Sequence, residues 1–323
     1  MVRRRAGAHV FAMLAMSSLA LSAAEPPTVP SGAQTPDPLS PIVIEAPEPR
    51  FVAPTRRDKI GRIWAPVLIN GRGPFRLVLD TGATRSAVNP SVALSLGLVP
   101  DATQSVLLRG VTGSVTVPTI HVYSFVVGDV IVTPATLPIV TDALGGADGI
   151  LGTDGFADKR LYIDFQHDLI TVTYSRGARA QPEFVTLPFE RSSTTRLVTQ
   201  ARVGGVRVSA IIDTGGQVTI GNEALRRALV RRHAQGTHDQ VTDVTLASQD
   251  TESFASPPIE LGSIQIQGAR ITYGDMHIFE HWHLINEPAV LIGMDALGLL
   301  DVFIIDYRRH ELQVRMRKPG GAS

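Results

Sequence analysis

Two carboxylates stand in nearly identical surroundings in this sequence. Asp80 follows the aliphatic run "RLVL", Asp213 follows "SAII", and Thr-Gly comes after each acid. A hydrophobic strand that ends in a tight turn holds a carboxylate against a low-dielectric wall, which is costly for a single charge. Two such acids facing each other can share one proton. The pattern predicts a dyad whose ionised member takes a proton from water while the protonated member donates to a carbonyl oxygen.

The flanks of the two acids recur in one order along the chain. "FRLVLDTGATRSAVNPSVALSLGL" matches "VSAIIDTGGQVTIGNEALRRALV", with the two acids 133 residues apart. Further landmarks recur at separations of 140, 141 and 142 residues, namely Gly128 and Gly268, Gly152 and Gly293, and Asp164 and Asp306. A single Asp-Thr-Gly is interpreted as an ordinary turn. The collinear set predicts two homologous halves.

On these motifs the chain resembles the aspartic peptidases. Aliphatic residues precede each Asp-Thr-Gly, and "ILG" and "LIG" supply the downstream partner motif in each half. "LDTGA" is closer to the retroviral-type enzymes than to pepsin, and the layout is similar to a bacterial retropepsin-like or pepsin-like peptidase. The resemblance implies an all-β, bilobal aspartic-peptidase (acid protease) fold with short helices and a central cleft. It implies an aspartic endopeptidase with Asp80 and Asp213 as catalytic residues, acting on a polypeptide without metal or cofactor.

The resemblance also assigns roles to the residues that follow each acid. In the family the threonine locks the two turns to one another, which maps onto Thr81 and Thr214. The glycine lets its backbone N–H approach the carboxylates, which maps onto Gly82 and Gly215.

The next position departs from the pepsin pattern. Pepsin-type turns carry a hydroxyl there that hydrogen-bonds the carboxylate, whereas this chain has Ala83 and Gly216. A hydroxyl donor favours the ionised carboxylate, so its loss predicts a less acidic dyad and a pH optimum nearer neutral. The Gly216 departure also keeps open a second hypothesis, a peptide-binding module on the same fold that has lost turnover.

A flap is expected in the first half. Gly110, Val111, Thr112 and Gly113 lie between two strand-like runs, as the tip of a hairpin would. This tetrapeptide begins thirty residues after Asp80, where the family keeps a substrate-covering hairpin. An ordinary hairpin turn is the alternative. The second half, near "TLASQDTESFASPP", has no such glycine pair, which predicts a single functional flap, more as in pepsin.

The segment "MHIFEHWHLINE" offers a competing chemistry. His277, Glu280 and His281 spell H-x-x-E-H, the inverted zincin pattern, and His283 adds a third imidazole. Zinc binding needs the first two histidines on one helical face. The repeat aligns "HIFEH" with the strand-like "PIVTD" instead, so we expect a strand and a polar loop beside the cleft. A zinc-dependent peptidase is the remaining alternative.

Two acids follow the downstream glycines. Asp154 and Asp295 occupy matched positions, so we expect a symmetric structural role, with helix N-capping as the predicted function.

Composition narrows the class of protein. Thirty basic residues balance thirty acidic ones, which gives no electrostatic basis for nucleic-acid binding. The absence of cysteine excludes disulfides, thiolate metal sites and a cysteine nucleophile. Because both half-sites belong to one chain, we expect the protein to act as a monomer.

The first residues have the pattern of an export signal. Arg3–Arg5 are basic, Val10–Leu21 are apolar, and Ser22–Ala24 are small. We therefore expect an exported, periplasmic protein with no integral membrane segment after signal removal. The predicted organisation is a signal peptide (1–24), a Pro-rich linker serving as a spacer or propeptide (25–56), an N-terminal lobe (57–178), a connection (179–188), a C-terminal lobe (189–317) and a tail (318–323).

Overall fold

A computed structural model describes residues 62–316 except 129, 134, 142–144, 168, 192–196, 230–235 and 275, together with strand 43–44. The described residues form mainly β-strands with a few short helices, which confirms the all-β class and the bilobal aspartic-protease fold. The predicted signal peptide and most of the predicted linker lie outside these residues. No helix in the described part of the chain has the length and apolar character needed to cross a membrane.

The first half contains thirteen strands and one helix among its described residues. They are β1 (Val43–Ile44), β2 (Trp64–Ile69), β3 (Arg72–Leu79), β4 (Ala87–Val88), α1 (Pro90–Leu96), β5 (Asp101–Arg109), β6 (Ser114–Val122), β7 (Phe125–Val127), β8 (Val130–Val132), β9 (Ala135–Pro138), β10 (Gly149–Leu151), β11 (Lys159–Asp164), β12 (Leu169–Tyr174) and β13 (Val185–Pro188).

The second half contains twelve strands and three helices in the part that is described. They are β14 (Glu190–Arg191), β15 (Leu197–Val203), β16 (Val206–Ile212), β17 (Ile220–Gly221), α2 (Glu223–Leu229), β18 (Thr237–Thr242), β19 (Ser248–Ala255), β20 (Ile259–Leu261), β21 (Ile264–Ile266), β22 (Arg270–Tyr273), α3 (His277–His281), β23 (Ala289–Ile292), α4 (Met294–Leu297), β24 (Leu300–Asp306) and β25 (Glu311–Met316).

The two halves build similar sheets, and we call them lobe 1 and lobe 2. Lobe 1 has a six-stranded sheet, β4-β10-β3-β2-β7-β8, and a three-stranded sheet, β5-β6-β9. Lobe 2 has one continuous sheet, β18-β19-β22-β17-β23-β16-β15-β20-β21, with β14 paired to β15. In both lobes the strand before the acid pairs in parallel with the strand that carries the downstream motif, β3 with β10 and β16 with β23. This shared pairing positions the two acids.

A further sheet joins the lobes. Its order is β1-β12-β11-β24-β25-β13, and the lobe 1 strand β11 pairs antiparallel with the lobe 2 strand β24. Strand β13 lies in the predicted connection, so part of that segment belongs to the sheet. Val43 and Ile44 of the predicted Pro-rich linker pair with β12 at the sheet edge. The lobes thus share backbone hydrogen bonds.

Residues at both ends of the first helix explain where it begins and ends. Asn89 accepts a hydrogen bond from the Val92 amide at 3.0 Å, and Pro90 occupies the first helical turn. Gly97 ends α1 with φ of +71°, a conformation that favours glycine. The apolar-rich run "SVTVPTIHVYSFVV" forms two strands rather than one, because the chain turns at Tyr123 and Ser124 between β6 and β7.

Candidate active site

Each acid is the first residue after a buried strand. The Asp80 amide donates to the Leu151 carbonyl at 2.9 Å, and the Asp213 amide donates to the Ile292 carbonyl at 3.0 Å. Both acceptors end the parallel neighbour strand of their lobe, β10 or β23. The aliphatic runs "RLVL" and "SAII" therefore lie in inner strands that fix the backbone of each acid.

The turn after each acid binds its carboxylate with two backbone amides. Gly82 and Ala83 donate to Oδ1 of Asp80 at 2.8 and 2.9 Å. The corresponding two amides of lobe 2 donate to Oδ1 of Asp213 at 2.9 and 3.1 Å. Because Oδ1 is held by the turn in both lobes, Oδ2 is the oxygen left to interact with the other acid or with a water molecule.

The two acids face each other across the lobes. A Cβ built on Gly82 would lie 3.0 Å from Cγ of Asp213, and one on Gly215 would overlap the Asp80 carboxylate. Each turn glycine therefore supplies the space into which the acid of the opposite lobe fits. From the sequence we expect these glycines only to bring a backbone N–H close to the carboxylates. The requirement for a residue without a side chain follows from the packing of one lobe against the other.

Two threonines connect the turns through four hydrogen bonds. The Thr81 amide donates to Oγ1 of Thr214 at 3.2 Å, and the Thr214 amide donates to Oγ1 of Thr81 at 3.1 Å. The Thr81 hydroxyl donates to the Ile212 carbonyl at 2.8 Å, and the Thr214 hydroxyl donates to the Leu79 carbonyl at 2.7 Å. Both side chains are buried. The reciprocal arrangement ties the end of each acid-bearing strand to the other lobe.

A second set of contacts supports the turn in lobe 1. The Ser86 amide and hydroxyl donate to Oδ1 of Asp154 at 2.8 and 2.6 Å, and the Gly152 amide donates to the Ser86 hydroxyl at 3.1 Å. A Cβ on Gly152 would lie 2.5 Å from the carbonyl carbon of Arg85, so the downstream glycine is required for close packing.

Lobe 2 repeats this support. The Thr219 amide and hydroxyl donate to Asp295 at 3.0 and 2.7 Å, and the Gly293 amide donates to the Thr219 hydroxyl at 3.2 Å. The predicted N-cap role is wrong, because the residue capping α4 is Gly293, and Asp154 lies in a turn. The two acids instead hold the hydroxyl residue six positions after each dyad acid.

Burial dominates the electrostatics of the pair. It raises the pKa of Asp80 above the ordinary value of 3.8, while the hydrogen bond with Asp213, the turn amides and the charge of Arg62 oppose this rise. Burial and the charge of Asp80 raise the pKa of Asp213 well above 3.8. Burial therefore favours the protonated form of both carboxyl groups, and because two adjacent negative charges repel each other the pair shares a proton.

Sequence reasoning missed Arg62. This arginine is buried although it directly precedes the apolar run of β2, and its charge lowers the pKa of Asp80. The available signal was a charged residue at the entrance of an otherwise apolar strand.

Each lobe carries a hairpin at this position, and we name the two hairpins flap 1 and flap 2; a single functional flap stays a prediction. Flap 1 is the β5–β6 hairpin, whose tip is Gly110–Gly113. Flap 2 is the β18–β19 hairpin, whose tip is Asp243–Ala247. The tips touch: the Thr112 amide donates to Oδ2 of Asp243, and the Thr112 hydroxyl donates to the Ala247 carbonyl, both at 2.7 Å. The available signal was the Val-Thr pair, Val111-Thr112 and Val244-Thr245, which recurs at the same separation of 133 residues as the two acids. The prediction of a single flap depended on glycine alone.

The family model described as "Aspartyl protease" matches residues 65–154. This match supports assigning the chain to the aspartic peptidase superfamily. The matched range contains the Asp80 turn, flap 1 and the downstream "ILG" motif, which are three parts of the superfamily site in lobe 1. A search of curated proteins finds no match.

The histidine-rich segment contains a short helix. The predicted strand is wrong, because "HIFEH" forms α3, and fifteen residues separate β22 from β23 where ten separate β9 from β10 in lobe 1. The Ile278 amide donates to the Val111 carbonyl of flap 1 at 3.1 Å. Among the described residues, no three His, Asp or Glu side chains are grouped so that they could hold a metal ion.

Proposed function

We propose that the chain is an aspartic endopeptidase in which Asp80 and Asp213 activate one water molecule. The observation that carries the proposal is the four-bond threonine contact, which brings two acids, Asp213 buried and Asp80 half-buried, face to face in matching turns. The superfamily assignment supports the general class of protease. The proposal adds the dyad, the reaction and the role of each acid.

The geometry suggests how the reaction proceeds. Asp80, ionised, takes a proton from water as the water oxygen attacks the scissile carbonyl carbon, and Asp213 donates its proton to the carbonyl oxygen. The resulting tetrahedral intermediate collapses when the amide C–N bond breaks. Asp80 then gives its proton to the leaving amine, and a hydroxyl of the intermediate returns a proton to Asp213. The dyad ends with one proton, as it began.

The surroundings of the acids favour apolar side chains in the substrate. Wall cluster 1, in lobe 1, includes Val78, Ala87 and Ile150, with Ala83 packed against it. Wall cluster 2, in lobe 2, includes residues of β17, α3 and β23. An extended polypeptide between the lobes would present alternate side chains to these two apolar surfaces.

The experiment compares the wild type with Asp80→Asn and Asp213→Asn on a mixture of random peptides, with and without pepstatin. We expect each substitution to lower the cleavage rate by at least about a hundredfold, because each removes one acid–base group. Asp250→Asn, an exposed carboxylate on β19, is the matched control and should retain full activity.

Two results would overturn the proposal, each in favour of a different function. Peptide binding without cleavage at any pH, unchanged in Asp213→Asn, would favour the binding module. Loss of activity with a chelator, but not in Asp80→Asn, would favour the zinc peptidase.

We further propose that the enzyme is exported to the periplasm and acts there as a monomer. The basic, apolar and small-residue order of the first 24 residues supports export. The contribution of both acids by one chain supports monomeric action. Cell fractionation and analytical ultracentrifugation of the active protein test these two statements, and a cytoplasmic location or a dimer needed for activity would contradict them.

A further inference from the structure

The two flap tips are complementary rather than identical. Flap 1 has glycine at both ends of its tip, whereas flap 2 has Asp243 and Ala247 opposite them. A Cβ on Gly110 would overlap the Asp243 carboxylate, and a Cβ on Gly113 would lie 2.9 Å from Cβ of Ala247. The glycine pair of one flap therefore provides the space that the side chains of the other flap fill.

One carboxylate connects the two tips. Oδ2 of Asp243 accepts the Thr112 amide of flap 1 at 2.7 Å, and Oδ1 accepts the amide of Thr245 in its own turn, also at 2.7 Å. The Thr245 hydroxyl donates to the same Oδ1. Since Oδ1 is held by the turn of flap 2, Asp243 presents Oδ2 to flap 1 in one orientation. Hydrogen bonds to a charged acceptor are the stronger kind.

Each tip is also anchored on the opposite lobe. Val111 of flap 1 packs against wall cluster 2, and its carbonyl accepts the Ile278 amide at 3.1 Å. Val244 of flap 2 packs against wall cluster 1, and its carbonyl accepts the Thr141 hydroxyl at 3.2 Å. The tips therefore bridge the two apolar surfaces that flank the dyad.

A mobile hairpin that covers the substrate is already implied by the resemblance to the aspartic peptidases. We propose that in this chain Asp243 is the positioning residue that latches the two flap tips together, so that the hydrogen bond it accepts from Thr112 must open before a polypeptide enters the cleft. The latch is defined by Asp243, Thr112, Ala247 and the two tip glycines. Its role in substrate entry rests on the proposed endopeptidase function, whereas its existence as a contact between the flaps does not.

Amide hydrogen exchange tests the latch without any substrate. We expect Asp243→Ala to speed exchange of the Thr112 amide by about tenfold to a hundredfold, because a charged hydrogen-bond acceptor is lost. Asp243→Asn keeps a carbonyl oxygen in place and should give a smaller increase. Asp250→Ala, on the arm of the same hairpin, should change nothing. Exchange at the tip that is equal in the wild type and Asp243→Ala would overturn the latch.

A reversible crosslink tests the role in entry. The chain has no cysteine, so Gly113→Cys combined with Ala247→Cys introduces the only thiols. The two Cβ atoms in a disulfide lie about 3.8 Å apart, whereas a Cβ on Gly113 would lie 2.9 Å from Cβ of Ala247. The tips therefore need to separate by only about 1 Å to form the disulfide. We expect oxidation to abolish cleavage of protein substrates and a reductant to restore it. Each single variant should be insensitive to oxidation.

The outcomes distinguish the two proposals. If the oxidised double variant, with the crosslink verified by mass, cleaves as fast as the reduced one, the role in entry is overturned while the endopeptidase stands. If the wild type cleaves nothing, the proposed function fails and the role in entry fails with it. The exchange measurement still decides whether Asp243 latches the tips.

Discussion

The acid turns and the flap tips show how differently two halves of one repeat can change. Around Asp80 and Asp213, the turn amides, the threonine contacts and the downstream glycines have the same hydrogen bonds in both lobes. At the tips, glycine in one lobe faces aspartate in the other. The acid turns meet at a common centre to which both lobes present the same group. The tips pack into each other because the glycines of flap 1 leave space for the side chains of flap 2. Two identical tips with side chains at these positions would collide.

The largest expected effect breaks the symmetry of the acid turns. Gly215→Ala should destabilise the protein by about 3 kcal/mol and remove activity, because the new methyl group overlaps the Asp80 carboxylate. Gly82→Ala should be milder, since its Cβ lies 3.0 Å from the nearest Asp213 atoms. Thermal unfolding and peptide cleavage measure both variants. Equal losses in the two would contradict the difference in packing.

A second comparison concerns the asparagines before α1 and α2. Asn222 caps α2 through Leu225 and also contacts Ala289, Leu284 and Glu287, whereas Asn89 caps α1 with one short bond. We expect Asn222→Ala to lower the free energy of unfolding by about 3 kcal/mol and Asn89→Ala by about 1 kcal/mol.

Urea unfolding measures this difference between the asparagines. An Asn222→Asp variant serves as a control that keeps the two bonds accepted by Oδ1, from Leu225 and Ala289, and loses the two donated by Nδ2. If this variant is as stable as the wild type, the two donated bonds contribute nothing to stability.

The smallest effect concerns pH. Because the pKa of both dyad acids is raised, the folded chain binds their protons more tightly than the unfolded chain does. Stability should therefore fall as the pH rises above the ordinary value of 3.8, and Asp213→Asn should remove much of this fall. Melting temperatures test this between about pH 3, where ordinary carboxyl groups are mostly protonated, and about pH 7, where they are ionised. A wild-type slope shared by the variant would contradict the assignment.

The same reasoning applies to activity. Ala83→Ser adds a hydroxyl donor that favours the ionised carboxylate, so the acidic limb of the pH–rate profile should move down by about one unit. Gly216→Ser should also crowd Asp213, since a Cβ there lies 3.0 Å from its Oδ2, and should lower the maximal rate. A wild-type profile that peaks below about 3, the range of the low-pKa pepsin dyad, would contradict the role of Ala83.

Local signals predicted much of the fold. The aliphatic runs before each acid are inner strands, and Asn89, Pro90 and Gly97 at the ends of α1 are typical helix start and stop residues. These features depend on propensity and capping within a few residues, which a sequence displays directly. The N-cap role of Asp154 and the strand at His277 failed, because both depended on an alignment of the halves rather than on local chemistry.

By itself the sequence determined the fold class, the superfamily and the repeated pair of acids, since hydrophobic pattern and motif order are properties of the chain. Only the tertiary structure decided which groups meet. It placed Arg62 near Asp80, fitted Gly215 against the acid of the other lobe, and brought Asp243 to Thr112 across 131 residues. Contacts between distant segments depend on the packing of whole sheets, and a single side chain such as Asp243 gains its role from the space that another segment leaves.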